Sequence, residues 1–103
     1  MAETYEYYFN KYGKGIHVIG DFRLYISNNN SVSTFVEFEK NGIDHRLDGP
    51  AVIWGSGIKE WYINGYCVTN KIREWSRNQG IDLDNLSDED KVLIKLSWAD
   101  YHG

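Results

Sequence analysis

Two Asn-Gly pairs, Asn41-Gly42 and Asn64-Gly65, each end a run led by an aromatic residue. A type I′ hairpin turn needs positive φ at both central residues, and Asn-Gly is the pair that meets this at least cost. Each pair therefore predicts a tight antiparallel hairpin. The runs Phe38-Glu39-Lys40-Asn41-Gly42 and Trp61-Tyr62-Ile63-Asn64-Gly65 share one layout and stand 23 residues apart, with Tyr25-Ile26-Ser27-Asn28-Asn29 as a looser third. A period of that size is typical of a repeated supersecondary unit. Two clear copies fall short of the roughly three that such an array needs to bury a continuous core, so another element must close it.

Strand signals precede and surround the hairpins. Thr4 to Phe9 is dense in Tyr and Phe, a strand composition. Gly13 and Gly15 mark a turn, and Ile16 to Ile19 and Phe22 to Ile26 read as short strands around Gly20-Asp21. Val32 to Glu39 alternates most clearly, with Val32, Thr34, Val36 and Phe38 on one face and Ser33, Phe35, Glu37 and Glu39 on the other. Asn28-Asn29-Asn30, Asp48-Gly49-Pro50 and Gly55-Ser56-Gly57 are further turns, and Ala51 to Trp54 and Ile58 to Ile63 further strands.

From Thr69-Asn70 the pattern becomes helical. Either residue suits an N-cap, Ile72 and Trp75 share a face, and Gly80 suits a stop. Ser87 caps a second helix whose first turn holds Asp88, Glu89 and Asp90. Its broad apolar face, Val92, Leu93, Leu96 and Ala99 with Ile94 and Trp98, predicts firm docking. The expected fold is α+β: an antiparallel β-meander of hairpin repeats over residues 4–68, capped by two C-terminal helices at 70–79 and 88–99. At 103 residues this is one domain, 1–68 the hairpin part and 69–103 the helical cap.

The net charge of −4 argues against nucleic acid as a partner, since phosphates call for a basic face. Cys67 is the one cysteine, so neither an internal disulfide nor a cysteine-based zinc site is expected, and it reads as a small buried hydrophobe. The chain opens without a basic, apolar leader and holds no apolar run of membrane-spanning length, so a cytoplasmic location is expected. Aromatics make up 16%, including four Trp and eight Tyr, more than so small a core consumes. Surplus Tyr and Trp suit a binding surface. Tyr5, Tyr7, Tyr8, Phe9 and Tyr12 crowd the N-terminus, where in a strand they form a partner-binding patch or an edge for homodimer pairing.

His45, Arg46 and Asp48, with Asp44, form the densest group of chemical side chains. As a site, His45 supplies a base and Arg46 a fork for phosphate or carboxylate. As structure, Asp48 accepts turn amides, Gly49 and Pro50 shape the turn, and His45 and Arg46 pack over neighbouring strands. The structural reading is the stronger. His17 and His102 stand apart in sequence, no metal-ligand spacing is present and no cofactor motif appears, so neither a metal nor a cofactor is expected. The residues singled out for binding are Tyr7, Tyr8, His45, Arg46, Trp54, Trp61 and Tyr62. None is singled out as catalytic.

The series Asn41-Gly42-Ile43-Asp44-His45-Arg46-Leu47-Asp48-Gly49-Pro50-Ala51, followed by Trp61-Tyr62-Ile63-Asn64-Gly65, resembles a variant MORN-type repeat over residues 36–68. The chain departs from it where Val68 replaces the histidine of a further copy. Repeats of this type are frequent in small accessory proteins of tailed bacteriophages. The resemblance implies a phage-encoded, non-enzymatic factor that binds and modulates or inhibits a host defence or regulatory protein. The second expectation is a small-ligand binder, such as a homo-oligomer that sequesters a nucleotide signal through aromatic stacking with Arg46 and His45. A hydrolase centred on His45 and Asp48 and a virion component are the remaining readings.

Overall fold

The computed structural model describes residues 3–29 and 34–103. Its first element is a helix, α1 (Tyr5–Tyr12), where the composition predicts a strand. Spacing overrides composition here. Tyr5, Tyr8, Phe9 and Tyr12 fall at i, i+3, i+4 and i+7, one face of a helix. Thr4 caps it by accepting from the Tyr7 N–H at 3.1 Å, Glu6 sits in the first turn and Lys11 in the last.

Six strands follow as one antiparallel sheet: β1 (Gly15–Ile19), β2 (Phe22–Asn28), β3 (Thr34–Lys40), β4 (Ile43–Asp44), β5 (Val52–Trp54) and β6 (Lys59–Glu60). Their order is β1-β2-β3-β5-β6, with β4 also paired to β3. Val32 and Ser33, expected at the start of the third strand, lie outside the described residues. The inward face of β3 is the predicted one, with Val36 fully enclosed. Tyr5 and Tyr8 of α1 pack with Leu24, Ile26, Val36 and Ile53 into a first core.

The expected strand from Ile58 to Ile63 divides at Trp61. Its first half ends the large sheet as β6, and its second, β7 (Tyr62–Ile63), pairs with β8 (Tyr66–Cys67) in a separate hairpin. Both Asn-Gly turns form as the sequence predicts, with φ of 55° and 80° at Asn41 and Gly42 and of 53° and 85° at Asn64 and Gly65.

Two helices close the second hairpin: α2 (Thr69–Gln79) and α3 (Asp88–Trp98). The Ser87–Asp90 capping box forms, and Gly80 ends α2 in the left-handed conformation. Thr69 does not cap α2. Its hydroxyl accepts the Trp61 N–H at 2.9 Å and ties the helix start to the hairpin. Trp61, Ile63, Val68, Ile72 and Ile94 form a second core, against which Trp75 and Trp98 pack edge to face with centroids 5.9 Å apart. The docking face of α3 is narrower than predicted. Ile94 and Trp98 turn inward, while Val92, Leu93 and Leu96 stay exposed. Cys67 is exposed, against expectation, because the two-residue strand β8 leaves it uncovered. No helix among the described residues is long and apolar enough to cross a membrane.

Candidate functional site

Between β4 and β5 the chain swings away from the sheet, and this excursion is the His-Arg-x-Asp-Gly-Pro series. Arg46 organises it. The residue is 6% exposed, and its guanidinium lies 4.1 Å above the Phe38 ring centroid. It donates to Asp48 Oδ1 at 2.8 Å, to the Pro50 carbonyl at 3.1 Å and to Glu3 Oε2 at 2.7 Å. Gly49 is needed for this approach, since a Cβ there would stand 2.6 Å from Arg46 Cζ. Burial alone would lower the Arg46 pKa. The hydrogen bond and charge of Glu3, with Tyr8 and Asp48, more than offset it and hold the side chain charged. Burial likewise opposes ionisation of Asp48, but Arg46 outweighs it and lowers the carboxyl pKa.

His45 is equally committed. Its Nδ1 accepts the Asn64 N–H at 2.9 Å, and its ring stacks on Phe22 with centroids 6.3 Å apart. Burial, with Lys40 nearby, lowers its pKa and favours the neutral ring that this acceptor role requires. The Asn64 side chain then donates to the Ala99 and Tyr101 carbonyls at 3.0 and 2.8 Å, fastening the hairpin to the end of α3. The polar atoms of the motif therefore serve to join two hairpins and a helix.

On the other side of Arg46 lies an open groove of about 260 Å³ between α1 and the edge of the sheet. Tyr7, Tyr8, Lys11 and Tyr12 form its helical wall, and Ile19, Phe22, Leu24 and Phe38 the opposite wall and floor. Tyr7 is 45% exposed and stands edge-on to Tyr8, with centroids 5.0 Å apart. Lys11 Nζ sits 5.6 and 5.4 Å from the Tyr7 and Tyr12 ring centroids. Tyr8 donates its hydroxyl to Glu3 Oε1. Burial first, then Glu3, raises its pKa against the opposing pull of Arg46. The result is an apolar, aromatic trough with one accessible cation at its rim. Such a trough suits an apolar or aromatic side chain flanked by an acidic group.

Of the residues singled out in the sequence, Tyr7, Tyr8 and Arg46 meet at the groove, and His45 stands behind its Phe22 wall. The other three lie elsewhere. Trp54 rests against Phe35 on the opposite face of the sheet and donates Nε1–H to Glu60 at 2.6 Å. Trp61 is enclosed in the second core, and Tyr62 is half-buried in the second hairpin. Tyr12 enters the sequence reading only as a member of the N-terminal aromatic cluster, and Lys11, Phe22 and Phe38 do not enter it as binding residues. The helical spacing of Tyr5, Tyr8, Phe9 and Tyr12 is the signal that places Tyr12 there, and the i, i+4 step from Tyr7 places Lys11.

Glu37, Glu39 and Asp44 crowd the outer face of the sheet, with carboxylate oxygens within 4.8 Å of one another. Oxygen atoms so placed are of the type that holds hard cations, and a crowded acidic surface looks the same. Partial burial first, and then Asp44 and Glu39, push the Glu37 pKa up to about 7. The folded chain thus binds a proton more tightly than the unfolded chain, whose glutamate titrates near 4.3. This group's contribution to stability falls as pH rises between those two values. After allowance for solvent screening of a partly open group, the effect is about 1 kcal/mol. Glu37→Gln is expected to raise Tm at pH 8 by about 4–8 °C and to bring little gain at pH 4, as thermal unfolding at the two pH values will show.

Comparison with protein-family models, with curated proteins and with solved structures gave no significant match.

Proposed function

We propose that this protein is a non-catalytic binding module, a phage-encoded accessory factor that docks a host defence or regulatory protein through the groove of α1 and thereby modulates or inhibits it. The observation that carries the binding role is the groove itself: five aromatic rings and one rim lysine, with Tyr7 nearly half exposed in a region that gains nothing for the core by leaving it so. Exposed aromatics over a rigid apolar floor make affinity at low entropic cost. The side chains with chemical capability, His45, Arg46 and Asp48, are each engaged in holding the hairpins together, which favours binding over catalysis. The phage origin rests on the repeat motif alone.

A tagged copy purified from bacterial host lysate is expected to retain one host protein in stoichiometric amount, read by mass spectrometry. Recovery of no protein above background would oppose the proposal.

The rim cation favours a second reading, in which the same groove stacks a nucleobase while Lys11 meets a phosphate. Arg46 is of little use to it, since Glu3 and Asp48 already neutralise its charge. A broad nucleotide panel tests this reading by thermal shift, and no stabilisation by any member removes it.

A further inference from the structure

The large sheet has two edges, and they are treated differently. At one, β6 is two residues long, both charged, and its Lys59 carbonyl accepts from Arg73 of α2 at 3.5 Å. Short length, charge and a covering element are the devices that keep sheet edges from pairing with other chains. At the other edge, among the described residues, β1 has none of them. Its five residues, Gly15-Ile16-His17-Val18-Ile19, include no proline and no lysine, arginine, aspartate or glutamate, and they pair with β2 in unbroken register without a bulge. Ile16 and Val18 are 58% and 74% exposed.

The backbone of β1 is self-complementary. The two-residue turn Gly20-Asp21 makes Ile19 and Phe22 a hydrogen-bonded pair. Alternation along an antiparallel ladder then turns the N–H and C=O of Ile16 and Val18 away from β2. If a second β1 runs antiparallel about His17, Ile16 meets the second copy's Val18, and Val18 meets its Ile16. Those are the residues with outward backbone groups, so the edge satisfies itself in an isologous contact. The same register gathers Ile16 and Val18 of both copies into one apolar patch on the outer face.

Charge permits the contact. Each copy carries −4, but Glu37 and Glu39 stand two strands from the edge. Across a joined sheet the two acidic clusters would lie five strand spacings, about 24 Å, apart. That is some three Debye lengths at physiological salt, where the length is about 8 Å. We propose that β1 pairs with β1 of a second copy, about a two-fold axis through His17, to form a continuous sheet across a homodimer. Ile19 of β1 also walls the groove, but the pairing uses the outward backbone of Ile16 and Val18 and does not rest on the use assigned to the groove.

Sedimentation equilibrium of the whole chain tests it. The wild type is expected to approach twice its 12.0 kDa mass as concentration rises. Val18→Lys, at an exposed position, is expected to weaken self-association at least tenfold while circular dichroism, and Tm measured at concentrations where both are monomeric, stay those of the wild type. His17→Cys in a Cys67→Ser background is expected to form a disulfide-linked dimer on oxidation, since the residues on the axis approach to about 4.5 Å between Cα atoms. A wild type that stays monomeric up to about 300 µM, a Val18→Lys variant that dimerises unchanged, or a dimer that His17→Cys does not crosslink would each overturn the proposal. The first of these outcomes would leave the edge to a strand of another protein.

Discussion

Arg46→Ala is expected to destabilise the fold by about 3–5 kcal/mol, the range for removing one partner from a buried ionic network. In a chain of this length that is a fall in Tm of at least about 12 °C. The loss is large because the guanidinium serves three acceptors at once and stacks on Phe38. Asp48 is exposed enough to recover water when Arg46 is gone. The Pro50 carbonyl, whose bond to Arg46 is buried, and the Glu3 carboxylate, which also receives the Tyr8 hydroxyl, recover much less. Arg46→Met keeps part of the apolar cover on Phe38 and is expected to lose less than alanine. Urea unfolding measures both variants. A change below about 1 kcal/mol, the value of an exposed ion pair, would mean that Arg46 is not the tie described above and would return it to the list of binding residues.

Trp61→Ala should cost a similar amount, about 3–5 kcal/mol, for a different reason. Its indole is 2% exposed and fills the centre of the second core, so truncation loses both transfer free energy and packing around the cavity left behind. The position is also where the chain passes from the large sheet to the small hairpin. The Trp61 N–H binds the Thr69 hydroxyl, and its carbonyl accepts the Val68 N–H at 2.8 Å. Denaturant unfolding followed by tryptophan fluorescence and by helical circular dichroism gives the cost. A loss under about 1.5 kcal/mol, as for volume-conserving core changes, would contradict the placement of Trp61 in the core.

The sequence was most legible where backbone chemistry leaves little choice. Asn-Gly at 41–42 and 64–65 needs two positive φ angles in succession, and few other structures offer them. Ser87 followed by three acidic residues is similarly direct. The N-terminal segment reads as a strand because Tyr and Phe are strand formers on average, while the 5-8-9-12 spacing becomes decisive only through burial of Tyr5 and Tyr8 against the sheet. The division at Trp61 was hidden because strand alternation runs through it unbroken. The Trp61 N–H bond to the Thr69 hydroxyl, the Arg46 N–H bond to the Tyr62 carbonyl and the second core pull residue 62 into another sheet. On α3 the sequence shows apolar residues on more than one side, and nothing local says which side meets the hairpin. For the site, Tyr7, Tyr8 and Arg46 were found by residue type, but Phe22 and Phe38 reach the groove through sheet register. That register is fixed by pairing across long separations, outside the reach of local pattern.

The central claim is that the His-Arg-x-Asp-Gly-Pro series holds the fold and that the groove on α1 does the binding. It is tested most directly by capturing partners from host lysate with the wild type, with a Tyr7→Ala/Lys11→Glu double variant and with Trp54→Ala on the opposite face, then titrating the captured protein against each. The account predicts that the groove variant binds about 30-fold more weakly, the loss of one hot spot of about 2 kcal/mol, with the circular dichroism of the folded wild type kept, while Trp54→Ala binds as the wild type does. A partner that tolerates the groove variant and is lost with Trp54→Ala would contradict it and move the interface to the outer face of the sheet.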